Sequence, residues 1–270
     1  ASSSRGRWSP ALTLAFAGLC GSAMNSVAEL PAPPSLSELT ARGPVAVFLD
    51  FDGTLVEIAA TPDSIEVPER LAARLAALSE RLGGRLALVS GRAVANLEEH
   101  CGPLGVACAG SHGLSRFSAA RERLGDDPPV LPPAVLDAVG TFAAAEGFSL
   151  ETKAHGAALH YRSDPTLEAR GLAFAATLAA EHGLVIKRGK CVIELIPPGG
   201  DKGSAVRAFM QERPFAGAIP VFVGDDVTDE DGFAAVQELG GFGVLVGSRS
   251  PSAARYGLAG PAAVQQWLCL

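Results

Sequence analysis

The chain is short of lysine. Only Lys153, Lys187, Lys190 and Lys202 are Lys among its 22 basic residues; the rest are Arg. Two readings are open: Lys is kept where a compact ammonium is needed, or the four are a chance clustering. Cysteine is scarce and unpaired in pattern. Cys20, Cys101, Cys108, Cys191 and Cys269 form no CxxC and are odd in number, which excludes a disulfide framework or a zinc site and leaves free thiols in a cytoplasmic protein. Basic excess is lacking as well. The net charge is −7, so no general nucleic-acid binder is expected. An anionic substrate would need a locally positive site, made by a metal ion or a few placed Lys or Arg. Long hydrophobic runs are missing too: beyond Met24 no segment reaches the ~18 apolar residues of a membrane span, so no membrane partner is expected. The 31 Gly and 19 Pro among 270 residues are ordinary, which excludes collagen-like and low-complexity classes. The length fits one large or two small domains.

At the N-terminus, residues 11–23 are an apolar run after Arg5 and Arg7, similar to a signal-peptide core and too short to span a bilayer. The expectation is upstream or vector-derived sequence with a natural start at Met24. Pro31 to Pro34 reads as a linker, so 1–43 is taken as extension and linker.

From Pro44 the pattern is regular. Val45–Leu49 is an apolar, β-forming run and predicts a buried strand. Residues 68–82 predict a helix, opened by Pro68 and stopped by Gly83-Gly84. A strand over 86–89, a helix over 93–100 and a strand over 106–109 follow. This alternation predicts a parallel sheet covered by helices on both faces. The rhythm then changes. Helix 134–146, strands 149–153 and 157–162, helix 165–182 and strands 185–187 and 192–196 predict an antiparallel α+β module. The first rhythm returns with helix 202–211, strand 219–223, helix 229–239, strand 243–246 and a helical tail. The predicted fold is α/β: a doubly wound, Rossmann-like parallel-sheet core over 44–120 and 197–270, with an inserted α+β cap domain over 121–196.

The strand ends carry the chemistry, since ligands of such sheets bind there. The first strand runs into Asp50-Phe51-Asp52-Gly53-Thr54. Two carboxylates so close repel unless a cation lies between them, and Mg²⁺ suits one or two carboxylates plus a substrate phosphate. A plain turn explains Gly53; it does not explain Asp50 ending an apolar run, where desolvation is costly. Ser90-Gly91-Arg92 ends the second strand and could bind an anion at a helix start, although a Ser helix cap is the commoner meaning of the same pattern. Lys202 opens a later helix near the sheet edge. Val221 to Val223 runs into Gly224-Asp225-Asp226-Val227-Thr228-Asp229-Glu230, four acids in six residues and a candidate metal-ligand cluster. Helix N-termini favour acids, which accounts for Asp229 and Glu230 but not for Asp225.

These motifs, in this order and at these strand ends, resemble phosphatases of the haloacid dehalogenase-like superfamily. Within it the chain resembles trehalose-6-phosphate phosphatases, through Gly110-Ser111-His112-Gly113, Glu151-Thr152-Lys153 with His160-Tyr161-Arg162, Gly189-Lys190 with Glu194 and Pro197, and Gly224 to Glu230 with Phe233. Thr152 departs from the Asn common in that family. The resemblance implies Asp50 as nucleophile, Asp52 as general acid and base, and Ser90 and Lys202 as phosphate holders. It also implies Mg²⁺ on Asp50, Asp225, the Asp52 carbonyl and, through water, Asp229. Glu151, Lys153 and Glu194 would contact the sugar, with Arg162, Lys190 and His112 as further candidates. Read alone, Glu151 and Lys153 are an exposed same-face pair worth little. His155, His160 and His182 read as structural or surface residues. The implied activity is Mg²⁺-dependent hydrolysis of trehalose 6-phosphate in trehalose synthesis, by a cytoplasmic monomer. The alternative is a capped phosphatase for another sugar phosphate, such as sucrose 6-phosphate or a glucosyl-glycerate phosphate.

Overall fold

The structure is a computed structural model that describes residues 30–270 except 60, 62, 63, 127, 128 and 154. The apolar run over 11–23 lies outside the described residues. The stretch expected as linker contains a helix. Ser35 starts α1 (Leu36–Arg42) with a reciprocal cap: its Oγ accepts from the Glu38 amide at 3.3 Å, and the Glu38 carboxylate accepts from the Ser35 amide at 2.8 Å. Leu36 and Leu39 of α1 join the core.

The chain continues through β1 (Val45–Leu49), α2 (Leu71–Arg81), β2 (Leu86–Val89), α3 (Val94–Cys101) and β3 (Ala107–Gly110). Two short strands follow, β4 (Ser115–Phe117) and β5 (Arg123–Leu124). The next segment is α4 (Pro133–Glu146), β6 (Ser149–Lys153), β7 (Gly156–His160), α5 (Glu168–His182), β8 (Val185–Gly189) and β9 (Val192–Ile196). Then come α6 (Lys202–Gln211), β10 (Ile219–Gly224), α7 (Glu230–Glu238), β11 (Phe242–Val246), β12 (Tyr256–Leu258) and α8 (Pro261–Leu268).

The core sheet has the order β12-β11-β10-β1-β2-β3-β4-β5. It is parallel from β12 to β3, and only β4 and β5 run antiparallel. Side chains of β1 alternate between two buried clusters, Val45, Val47 and Leu49 on one face and Ala46 and Phe48 on the other. Both faces are therefore covered, as a continuous apolar strand requires. The chain leaves β1 toward β2 and returns on its other side at β10. The two strands that run into Asp50 and Asp225 thus lie side by side at the topological switch point.

The second sheet, β6-β7-β9-β8, is antiparallel throughout. Strand period two divides its faces. Ala157, Leu159, Ile193 and Leu195 pack with residues of α4 and α5 in a third cluster. The opposite face holds a row across the strands in which Glu151 pairs with Ala158, Ala158 with Glu194, and Glu194 with Lys187. Sequence and structure agree on the α/β core and the inserted α+β cap. The differences are local: α2 starts at Leu71, after a left-handed Arg70 (φ 57°), and Pro165–Leu167 is a separate 3-10 turn ahead of α5, capped by Asp164. Among the described residues no helix is long and apolar enough to cross a membrane.

Candidate active site

A cavity of about 670 Å³ lies between the strand ends of the core sheet and the polar face of the cap sheet. Its floor is a buried charged cluster. Lys202 Nζ, at the first turn of α6, donates to Asp50 Oδ1 at 2.7 Å and to Asp229 Oδ1 at 2.6 Å. Carboxylate oxygens of Asp50, Asp225 and Asp229 lie within 4.8 Å of one another. Asp225 Oδ1 is buried without a hydrogen-bond partner. Gly53 makes room for this arrangement: its φ is +80°, and a Cβ there would sit 2.2 Å from Asp225 Oδ2. Asp229 is fixed by the amide of Asp226, which donates to its Oδ2 at 2.8 Å.

Three acids and one ammonium leave the floor short of positive charge. Burial raises the Asp50 carboxyl well above its ordinary range; Lys202 opposes this, while Asp229 and Asp225 add to it. Burial, with Asp229, pushes Asp225 up to about 6. Lys202 is held in its charged form, because Asp229 and Asp50 outweigh its burial.

Asp52 is paired with Arg92 instead of Lys202. Arg92 Nε and Nη2 donate to its two oxygens at 2.7 and 2.8 Å. Ser90 is buried and does not cap a helix: α3 starts from Ala93, and the Ser90 hydroxyl accepts from the Arg92 amide at 3.1 Å. That outcome removes the commoner reading of the turn and leaves a buried hydroxyl beside Asp50 in the cavity lining.

The cap supplies the wall. Lys153 Nζ lies 2.9 Å from Glu194 Oε1, and His112 Nε2 lies 2.7 Å from Glu194 Oε2. His112 comes from the core, from a left-handed backbone position with φ 57°. Burial works against the Glu194 carboxylate, but His112 and Lys153 together hold it down at about 2. The Glu194 and Glu151 carboxylates keep Lys153 charged against its burial. Glu151 accepts from His160 Nε2 at 2.8 Å, the main reason its carboxyl lies below the ordinary range.

Of the candidate catalytic, metal and sugar residues, all line this cavity except Asp229, which lies behind Lys202, and two are shifted in place. Lys190, expected on the sugar wall, lies 3.2 Å from Asp225 Oδ2, over the floor. Arg162 donates from Nη1 to the Ala59 carbonyl at 2.5 Å, tying the cap to the loop after β1. Sequence reading missed His160 and Lys187 as cavity residues. Lys187 pairs with Asp231 at 2.8 Å. The signal for both was strand alternation, which places them on the face of Glu151 and Glu194. Arg249 was also missed; it donates to the Asp226 carbonyl at 3.2 Å and pairs with Glu230, bracing the acidic loop. Nothing in its local sequence marks it.

The Glu194 cluster predicts an acid limb. Its folded carboxyl value, about 2, is below the ordinary 4.5, so the unfolded chain takes up the proton first. The stabilisation is complete above about pH 4.5 and is lost as pH falls toward about 2, with about 3 kcal/mol at stake. Urea midpoints between pH 5 and pH 3 are expected to fall more steeply for the wild type than for Glu194→Gln. Parallel slopes would show that the cluster contributes no such linkage.

A doubly wound sheet with an inserted α+β cap, and with acids grouped at the ends of two adjacent strands, is the architecture of the haloacid dehalogenase-like capped phosphatases. A haloacid dehalogenase-like hydrolase from Bacteroides thetaiotaomicron superposes with a TM-score of 0.59 at 17% identity, over 83% of this chain and 98% of that one. The C-terminal domain of the trehalose-6-phosphate phosphatase of C. albicans superposes with a TM-score of 0.76 at 24% identity, over 88% of this chain and 96% of that one.

Sequence comparison is narrower. The trehalose-phosphatase family model matches residues 48–262, and the chain belongs to that family. It is 40% identical to the trehalose-6-phosphate phosphatase of Escherichia coli (strain K12) over 86% of this chain and 87% of that protein. It is 38% identical to a probable trehalose-phosphate phosphatase of Sinorhizobium fredii, over 78% of this chain and 81% of that protein.

Proposed function

We propose that the protein hydrolyses trehalose 6-phosphate to trehalose and phosphate through an aspartyl-phosphate, as a step of trehalose synthesis. One observation carries this reading: a single cavity joins a floor of Asp50, Asp225 and Lys202 to the Glu151, Lys153 and Glu194 wall, with Asp229 buried behind Lys202. The floor suits a phosphate monoester and the wall suits a hydroxyl-rich sugar, which paired carboxylate and ammonium groups can bind at several points.

The floor also fits Mg²⁺. It offers a compact set of carboxylate oxygens, one of them buried and without a partner, and a hard cation takes such oxygens. Asp50 and Asp225 would hold it by side chain, Asp52 by its backbone carbonyl, and Asp229 through water. When bound, the ion neutralises charge between a dianionic substrate and Asp50.

Asp50 attacks phosphorus in line with the sugar oxygen, forming an acyl phosphate as the P–O bond to the sugar breaks. Asp52 gives that leaving oxygen its proton, then takes a proton from the water that cleaves the acyl phosphate. Lys202 and Ser90 hold phosphate oxygens throughout. The cap's Glu151, Lys153 and Glu194 orient the disaccharide. His112 acts behind Glu194, Lys190 over Asp225 and Arg162 at the cap–core junction. The free thiols of Cys101, Cys108, Cys191 and Cys269 suit a cytoplasmic setting.

The test is phosphate release from a panel of trehalose 6-phosphate, sucrose 6-phosphate, glucosyl-glycerate phosphate and glucose 6-phosphate, with Mg²⁺ or chelator. Preference for the first, dependent on Mg²⁺, is expected. Equal rates across the panel would refute the substrate assignment.

A pH effect on the ion follows from the floor. With Asp225 at about 6 and Asp50 also raised, Mg²⁺ must displace protons below that range. Its affinity, read as the Mg²⁺-induced rise in Tm or by calorimetry, is expected to weaken about tenfold per pH unit for each proton displaced below pH 6. An affinity constant from pH 7 to pH 5 would contradict this ligand set.

A further inference from the structure

Arg92 has no role in the chemistry outlined above, yet it is held at every end. Its guanidinium grips both oxygens of Asp52, Nε to Oδ2 at 2.7 Å and Nη2 to Oδ1 at 2.8 Å. The remaining nitrogen, Nη1, donates to Asn96 Oδ1 at 2.8 Å, one turn on in α3. Its amide donates to Ser90 Oγ at 3.1 Å, and its carbonyl accepts from the Ser111 amide at 2.9 Å. The two partners differ in exposure. The Arg92 side chain is 10% exposed, while that of Asp52 is 35% exposed, toward the cavity.

We propose that Arg92 is the positioning residue for Asp52. It fixes the plane and rotamer of the carboxylate so that one oxygen meets the sugar oxygen of the substrate. The inference rests on the reading of Asp52 as the acid and base. A carboxylate accepts at about four sites over its two oxygens. The guanidinium fork takes one on each and leaves a site free to carry the proton that passes to the sugar oxygen, and then to accept from the attacking water. Without the fork, Asp52 stands half-exposed, free to rotate. Misplacement by about 1 Å costs on the order of a hundredfold in such steps. The fork also explains the choice of residue in a turn where Lys could supply the charge. Only a planar guanidinium holds both oxygens of a carboxylate at once. Asn96 in turn fixes the fork.

A four-enzyme cycle on trehalose 6-phosphate with Mg²⁺ tests this: wild type, Arg92→Ala, Asp52→Asn and the double variant. Arg92→Ala is expected to lower kcat by roughly ten- to a hundredfold with KM within about threefold, the pattern of a group that acts in the chemical step. If Arg92 acts through Asp52, the double variant is no slower than Asp52→Asn, because the losses overlap rather than add. Guanidinium ion added to the assay should restore part of the Arg92→Ala rate and none of the Asp52→Asn rate. Arg92→Lys keeps the charge and much of the volume but cannot form the fork. It should lose at least about fivefold, which keeps the test open if the Ala variant folds poorly. Losses that multiply in the double variant would overturn the proposal and assign Arg92 to the phosphate or to the fold. A different pattern, Asp52→Asn with wild-type kcat, would instead remove the acid–base reading of Asp52.

Discussion

Asp50→Asn is expected to lose turnover on every phosphate ester while the fold persists. The amide is nearly isosteric with the carboxylate and removes only its charge. That charge is what attacks phosphorus, and no neighbouring group can replace it: Asp225 and Asp229 lie on another strand end, and Asp52 is held by Arg92. The residual rate should fall below about a hundredth of wild type, within the range that loss of a nucleophile produces. Stability should move the other way. Burial and two neighbouring acids already disfavour the ionised Asp50, and Lys202 keeps Asp229 at 2.6 Å. In chelator, Tm is therefore expected to equal or exceed that of the wild type, and the Tm rise on adding Mg²⁺ should shrink. A variant that keeps more than a hundredth of the rate would end the nucleophile assignment. One that unfolds in chelator would show that Asp50 is structural.

The legibility of this site followed the range of the interactions. Val45 to Leu49 forms a strand because a short apolar β-forming run has few other uses, and Asp50 at its end was conspicuous for the same reason. The strand–helix alternation gave a parallel sheet but not its order; the pairing of β1 with β10, which brings Asp50 beside Asp225, is seen only in the structure. The seven residues of α1 escaped notice because they give two turns of periodicity and sit beside a proline stretch; their cap and two buried leucines decide the matter only in three dimensions. Likewise β4 and β5, three and two residues long, exist by pairing with β3 and each other.

Side-chain partners 30 or more positions away were the least visible. Nothing local says that Lys190 lies over Asp225, or that Arg92 turns to Asp52 rather than to phosphate. His160 read as a structural or surface residue although its partner, Glu151, is only nine positions away, because the two meet across the β6–β7 pairing. The family resemblance named the members of the site, but the floor, the wall and the braces behind them separated only when the two sheets were placed face to face.

That separation has a measurable consequence. Glu194 sits between Lys153 of the cap and His112 of the core, and none of the three contacts Asp50 or Lys202 in the distances described. If these groups read the sugar, removing one should weaken the disaccharide reaction and spare the chemistry. Lys153→Ala or Glu194→Ala is expected to lower kcat/KM for trehalose 6-phosphate by roughly ten- to a thousandfold. This corresponds to one or two charge-assisted hydrogen bonds at ~1.5–3 kcal/mol each, with some loss of cap closure included. A small aryl phosphate makes no use of the wall, so its rate should change by less than about threefold, since it reports on the floor alone. Its good leaving group also relieves the demand on Asp52, so Asp52→Asn should damage the aryl reaction less than the disaccharide reaction. Because Glu194 is buried between Lys153 and the His112 ring, Glu194→Gln serves as the variant that keeps the shape; it should reproduce the selectivity of the loss with a Tm nearer to wild type. Equal losses on both substrates would mean that the wall supports the floor or the fold, and the sugar would then have to be recognised elsewhere in the cavity.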